Sequence, residues 1–208
     1  MKNILTPLSL AMALAMGLAP QGAAAGDGNG VYVEQVASYS SARVSQAGSR
    51  NSLGQKASPF TQGGVRQSLT LDQSGYGNAV VRGSQDGSRN RAAVRQNGSG
   101  NQIDMLRQTG TDNRMSLDQT GAFNRMAAVQ AGTRNSLTAS QTGAFNEATL
   151  GQNGYGNSIA YSATGAFNKA EVTQAGNYNS ASVTQIGSGN NIGIAQSGNN
   201  NKISVTQR

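Results

Sequence analysis

The 208-residue chain contains 28 Gly, no Cys, Trp or His, 12% charged and 36% apolar residues, and a formal charge of +7. Bulky apolar material is too scarce for a conventional close-packed core, and composition taken alone is that of a disordered chain. Disulfide stapling is excluded, and the nine carboxylates form no recurring pair, so neither catalysis nor a metal centre has its usual residues; the expectation is a protein that is not an enzyme and holds no cofactor or metal.

In chain order, Lys2 precedes an apolar run from Ile4 to Leu18, Pro20 ends it, and Ala23, Ala24 and Ala25 supply small residues. This predicts a secretory signal peptide over 1–25, cleaved near Ala25 and too short for a membrane span. The remaining chain is still basic, with twelve Arg spread from Arg43 to Arg208. Such a balance suits anionic surfaces, acidic polymers or an acidic protein partner, and equally suits plain solubility. A short Gly/Asn-rich segment occupies 26–34.

An internal repeat begins at Gln35. Gln35 to Gln46 spans 11 residues, and Gln46 to Gln62 spans 16, so an insertion containing Pro59 makes 35–61 irregular. From 62 to 208 the spacing is regular. Marker glutamines fall at Gln73, Gln85, Gln96, Gln108, Gln119, Gln130, Gln141 and Gln152, then at Gln174, Gln185, Gln196 and Gln207, with Ala163 where one more is due. Most steps are 11 residues and two are 12. Each marker opens Gln-x-Gly-x-x-Asn. The glycines are Gly75, Gly87, Gly98, Gly110, Gly121, Gly132, Gly143, Gly154, Gly165, Gly176, Gly187 and Gly198. The asparagines are Asn78, Asn90, Asn101, Asn113, Asn124, Asn135, Asn146, Asn157, Asn168, Asn179, Asn190 and Asn201. A disordered low-complexity tract would not hold this phase.

The full repeat is two units, because Gly-Ala-Phe-Asn recurs at 121–124, 143–146 and 165–168, spaced by 22. Between markers the alternation has period two. Asn179, Ala181, Val183 and Gln185 share one face, and Ser180, Ser182 and Thr184 share the other. Gln-x-Gly-x-x-Asn is the turn, where Gly permits positive φ, and Asn tolerates it and caps its own backbone. The fold class expected is all-β: a flattened parallel β-solenoid with two strands and two turns per coil of about 22 residues. Some seven coils would extend roughly 35 Å. The two 12-residue steps, Asn78–Gln85 and Asn101–Gln108, lie on strands that stack directly and predict matched bulges. The inward Gln and Asn are expected to bond to identical amides one coil away, forming ladders, and Ala163 is expected to be a weak point. Phe123, Phe145 and Phe167 are expected to stack at one rim and cover the core end. Asp72, Asp104 and Asp118 fall on solvated faces.

A calcium-binding solenoid would need Asp throughout its turns, where Asn recurs and Asp112 and Asp86 are isolated, and an ice-binding face would need uniform Thr. No capping helix or Pro-rich cap is visible at the C-terminal end, so an open strand edge that adds copies of itself is expected. A monomeric solenoid adhesin is the alternative.

The pattern Gln-x-Gly-x-x-Asn, followed by a short alternating stretch and the next Gln, resembles the curlin repeat of bacterial curli, over Gln62 to Arg208 and more weakly over Gln35 to Gln55. The resemblance implies an extracellular amyloid fibre of the biofilm matrix with a role in adhesion, exported through an outer-membrane channel with surface assembly factors. It implies self-association and a companion curli subunit, without nucleic acid or a small-molecule substrate. The basic charge, the mostly 11-residue units and the ending Ile-Ser-Val-Thr-Gln-Arg (203–208) are more similar to the minor, nucleating subunit than to the major one. Lys202 and Arg208 would then lie at the anchoring end.

Overall fold

The computed structural model describes residues 28–208, so the expected signal peptide lies outside the described residues. The chain winds as eight coils, each laying one parallel strand line into each of two sheets. The first coil contains β1 (Gly30–Val31), β2 (Val33–Ser38) and β3 (Ser41–Ser49). The second contains β4 (Ser52–Leu53), β5 (Phe60–Val65) and β6 (Ser68–Tyr76), and the third β7 (Ala79–Val80), β8 (Gly83–Ser88) and β9 (Arg91–Ser99). Coils four to eight place one unbroken strand in each sheet: β10 (Gln102–Thr111) and β11 (Arg114–Ala122), β12 (Arg125–Thr133) and β13 (Ser136–Ala144), β14 (Glu147–Tyr155) and β15 (Ser158–Ala166), β16 (Lys169–Asn177) and β17 (Ser180–Ser188), β18 (Asn191–Asn199) and β19 (Lys202–Gln207). Every pairing between coils is parallel. The expected seven coils become eight because residues 28–49 already form a complete first coil.

Alternation places the core. In β17, Ala181 and Val183 are buried while Ser182 is exposed, and β11 buries Met115 and Leu117 in the same way. In most full-length strands two apolar side chains enter the space between the sheets, which is why 36% apolar content suffices. Burying one such side chain is worth about 1.5–3 kcal/mol. The core is contiguous from Leu53 to Ile194.

Irregularity is confined to one column of the first sheet. The chain leaves the sheet after Leu53, turns through the isolated bridge between Gln55 and Ser58, and returns at Phe60, so Pro59 sits in the expected insertion. Phe60 is fully buried, and its ring occupies the place where a Cβ on Gly83 would sit, 2.1 Å away. One coil later β7 and β8 are interrupted at Val81 and Arg82, and beneath them β10 shifts register against β12 between Ile103 and Met105. The two extra residues therefore stack as matched irregularities, as their spacing predicts.

Candidate functional site

The glutamines form two lines inside the solenoid, the second interrupted at Ala163. In the first sheet each Nε2 donates to Oε1 of the next coil from Gln62 through Gln85, Gln108, Gln130, Gln152 and Gln174 to Gln196, at 2.6–3.0 Å. In the second sheet the line runs from Gln46 through Gln73, Gln96 and Gln119 to Gln141, at 2.7–3.0 Å. It resumes from Gln185 to Gln207 at 3.1 Å. Many of these Nε2 groups also reach a carbonyl of the opposite sheet, as Gln108 does to Arg91 O at 3.0 Å. Both amide hydrogens are thereby used, and the cost of about 1–3 kcal/mol for an unpaired buried polar group is avoided. The line fails at the first step, where Gln35 Nε2 and Gln62 Oε1 are buried without partners.

The asparagines form the expected ladder along one rim only, and their other bonds go to backbone. The backbone N–H of each donates to Oδ1 of the equivalent residue one coil earlier, as Asn101 does to Asn78 at 3.2 Å. Each Nδ2 typically reaches back to a carbonyl four residues earlier and forward to the glycine carbonyl of the next coil, as Asn78 does to Ser74 O and Gly98 O, both at 3.0 Å. Direct amide-to-amide bonds join only one rim, running from Asn51 to Asn168. On the other rim, Asn90, Asn113, Asn135, Asn157 and Asn179 bond to backbone alone through Nδ2. The asparagines are therefore clamps that fasten each turn to its neighbour.

Turn geometry corrects a second expectation. Positive φ falls on the glycine and on the residue just before the asparagine, never on the clamp asparagine. Gly121 has φ 113°, and a Cβ there would stand 2.1 Å from the oxygen of Gly143. The turn glycines from Gly75 to Gly176 meet the next coil in the same way, whereas a Cβ on Gly187 or Gly198 would meet only ordinary contacts, the nearest at 3.9 and 3.4 Å. Phe123, Phe145 and Phe167 occupy the left-handed position at φ 55–56°. Their rings stack at 5.3 and 5.2 Å with interplanar angles of 14° and 3°. They stand outside the turn, about half exposed, and do not cover the core end.

Ala163 is not a gap. It pairs with Gln141 on one side and Gln185 on the other, and the Tyr161 ring packs inward beside it. The Tyr161 hydroxyl donates to Gln185 Oε1 at 3.2 Å. Burial pushes its pKa up to about 12, against an opposing hydrogen bond with Gln141. A tyrosine hydroxyl thus replaces the missing amide. Three further clamps extend the motif: Asn29, Asn51 and Gln67, the last accepting from Asn90 N at 3.2 Å. Gly-Asp-Gly-Asn (26–29) and Gly-Ser-Arg-Asn (48–51) carry the signal for the first two, whereas Gln67 departs from it.

On the outer faces the charges pair between coils. Asp72, Arg95 and Asp118 stand in register, Arg125 bonds Asp104, and Lys169 meets Glu147 at 3.3 Å. Lys202 and Arg208 are exposed on the last coil. Here β18 and β19 have a strand partner on one side only among the described residues.

The model of the Curlin associated repeat family matches residues 132–160, 146–187 and 176–208, the coils with the most regular spacing. No curated protein matches the chain. Residues 132–208 are thus curlin-associated repeats, and with the ladders and winding in agreement they support a fibre subunit of the curli type.

Proposed function

We propose that this subunit assembles by templated strand addition, the last coil of one copy receiving the first coil of the next, and that it serves as the surface-associated nucleator of the fibre. The supporting observation is the direction of the ladders. Every Gln-to-Gln bond donates from Nε2 toward the following coil, so Gln196 and Gln207 present donors at one end while Gln46 presents an Oε1 acceptor at the other. Head-to-tail stacking matches donor to acceptor, whereas stacking like ends opposes donor to donor. The register agrees as well. Pairing Gln196 with Gln35 of a second copy also brings Gln207 to Gln46, Asn190 to Asn29, Ile194 to Val33 and Val205 to Val44, with no insertion.

In this role Gln196, Gln207, Asn190 and Asn201 form the receiving end, and Lys202 and Arg208 lie beside it. The basic charge and the C-terminal sequence support the minor over the major subunit; a companion subunit, an outer-membrane export channel and surface assembly factors are the partners proposed. The test is seeded elongation by the Gln196→Glu, Gln207→Glu double variant. Each carboxylate removes a donor and places a charge beside a buried edge. Elongation from its own seeds should stop; growth at the unaltered rate would reject the register. Acceleration of a companion subunit at small molar ratios supports nucleation, and its absence assigns the chain as a major subunit.

A further inference from the structure

One rim of coils two to five gathers five Arg around Asp112. Arg66, Arg89, Asp112 and Arg134 occupy the left-handed position of successive turns, with φ of 56°. Their backbones are joined directly: Arg89 N donates to Val65 O, Asp112 N to Ser88 O and Arg134 N to Thr111 O, each at 2.9 Å. Arg91 and Arg114 follow on the adjoining strands, β9 and β11, and are exact register partners one coil apart. Like charges directly opposite each other in a sheet oppose stability. Elsewhere, Asp72–Arg95–Asp118 and Glu147–Lys169 alternate in sign. Among the described residues Arg66, Arg91 and Arg114 have no carboxylate within 4.0 Å.

The one carboxylate in the ridge shows how its guanidinium groups bind. Arg89 grips Asp112 by both oxygens, at 2.7 and 2.9 Å, the planar fork that suits carboxylates. The Arg89 hydrogen bond holds the Asp112 carboxyl below its usual range, with the charges of Arg89, Arg134 and Arg91 acting in the same direction against its desolvation. Strand spacing of about 4.8 Å sets the rise of the ridge per coil.

We propose that this arginine ridge is a docking surface for a linear carboxylated polysaccharide lying along the stacking axis, with its uronate groups seated on Arg66, Arg91, Arg114 and Arg134. An extended pyranose chain advances by about one coil per sugar, whereas duplex DNA carries a phosphate about every 3.4 Å per strand and falls out of step with the coils. In a stack of copies the ridge recurs once per subunit, so weak single contacts multiply along a fibre. The inference stands apart from the choice between nucleator and major subunit, because it needs only the folded coils.

The experiment titrates fluorescein-labelled polygalacturonate with the folded chain, free or assembled, at two salt concentrations. Binding should weaken with salt, and Arg91→Gln with Arg114→Gln should weaken it about tenfold. Lys56→Gln with Arg50→Gln removes the same charge away from the ridge and should change it less than about twofold. Asp112→Asn should tighten binding several-fold by freeing Arg89. All five positions lie outside the core, and an unchanged far-ultraviolet spectrum verifies folding. Equal losses in the two double variants, or weaker binding by Asp112→Asn, would overturn the proposal. Tighter binding of a single-stranded oligonucleotide of equal charge, lost in the same variants, would reassign the ridge to nucleic acid.

Discussion

Tyr161 and Ala163 illustrate how one residue's neighbourhood changes its meaning. A missing glutamine reads as a defect when the marker column is viewed alone. The neighbouring column supplies the phenol that occupies the vacated space and bonds Gln185. Ala163→Gln should therefore be destabilising by about 1–3 kcal/mol, because the new amide collides with the ring. Tyr161→Ala in the same chain should recover much of that loss, since the two positions share one volume. Denaturant midpoints of the four combinations measure the coupling. The same burial has a pH signature. Because the folded pKa of Tyr161 is raised to about 12, its contribution is intact below the ordinary tyrosine range near 10 and is lost as pH rises through 12. A spectrophotometric titration should show a late-ionising tyrosine, and it should disappear in Tyr161→Phe.

At the level of the element, the period-two strands, the coil of about 22 residues and the stacked irregularities were legible because each depends on spacing alone. Which turn residue adopts positive φ was not. Gly, Asn and Phe or Arg all crowd the same four positions, and the backbone resolves them by giving the left-handed conformation to the residue that points outward. The clamp role of Asn was equally hidden, because a buried amide can satisfy itself through another amide or through backbone. The outward Phe column was misplaced for a related reason: periodicity extended past the strand end assigns a face to residues that the turn has already rotated. Glycine gives the sharpest test here. Gly121→Ala would press a Cβ onto the oxygen of Gly143, and it should cost about 3 kcal/mol or more, read from the denaturant midpoint. Gly198→Ala meets no coil within its own chain, so its cost should stay near 1 kcal/mol. Elongation by Gly198→Ala should nevertheless slow sharply, because the arriving copy must approach that position.

At the scale of the whole molecule, two ends and two rims divide the work. The ends carry ladders of one polarity, a directional complementarity that backbone bonding alone also favours in parallel sheets. The rims differ in chemistry: stacked phenylalanines on one, and arginines on the other. The phenylalanine stack was legible from its 22-residue recurrence, whereas the arginines, at variable positions of the motif, were not. The central claim is that the coil end itself is the template. It is tested most directly by amyloid-dye fluorescence of freshly desalted residues 26–208, followed over time at several concentrations with and without sonicated fibres. A lag that seeds abolish, and elongation that the glutamate pair at 196 and 207 prevents, is the predicted result. A chain that stays monomeric and dark under seeding, with its β-rich spectrum intact, would contradict the account and describe a solitary solenoid.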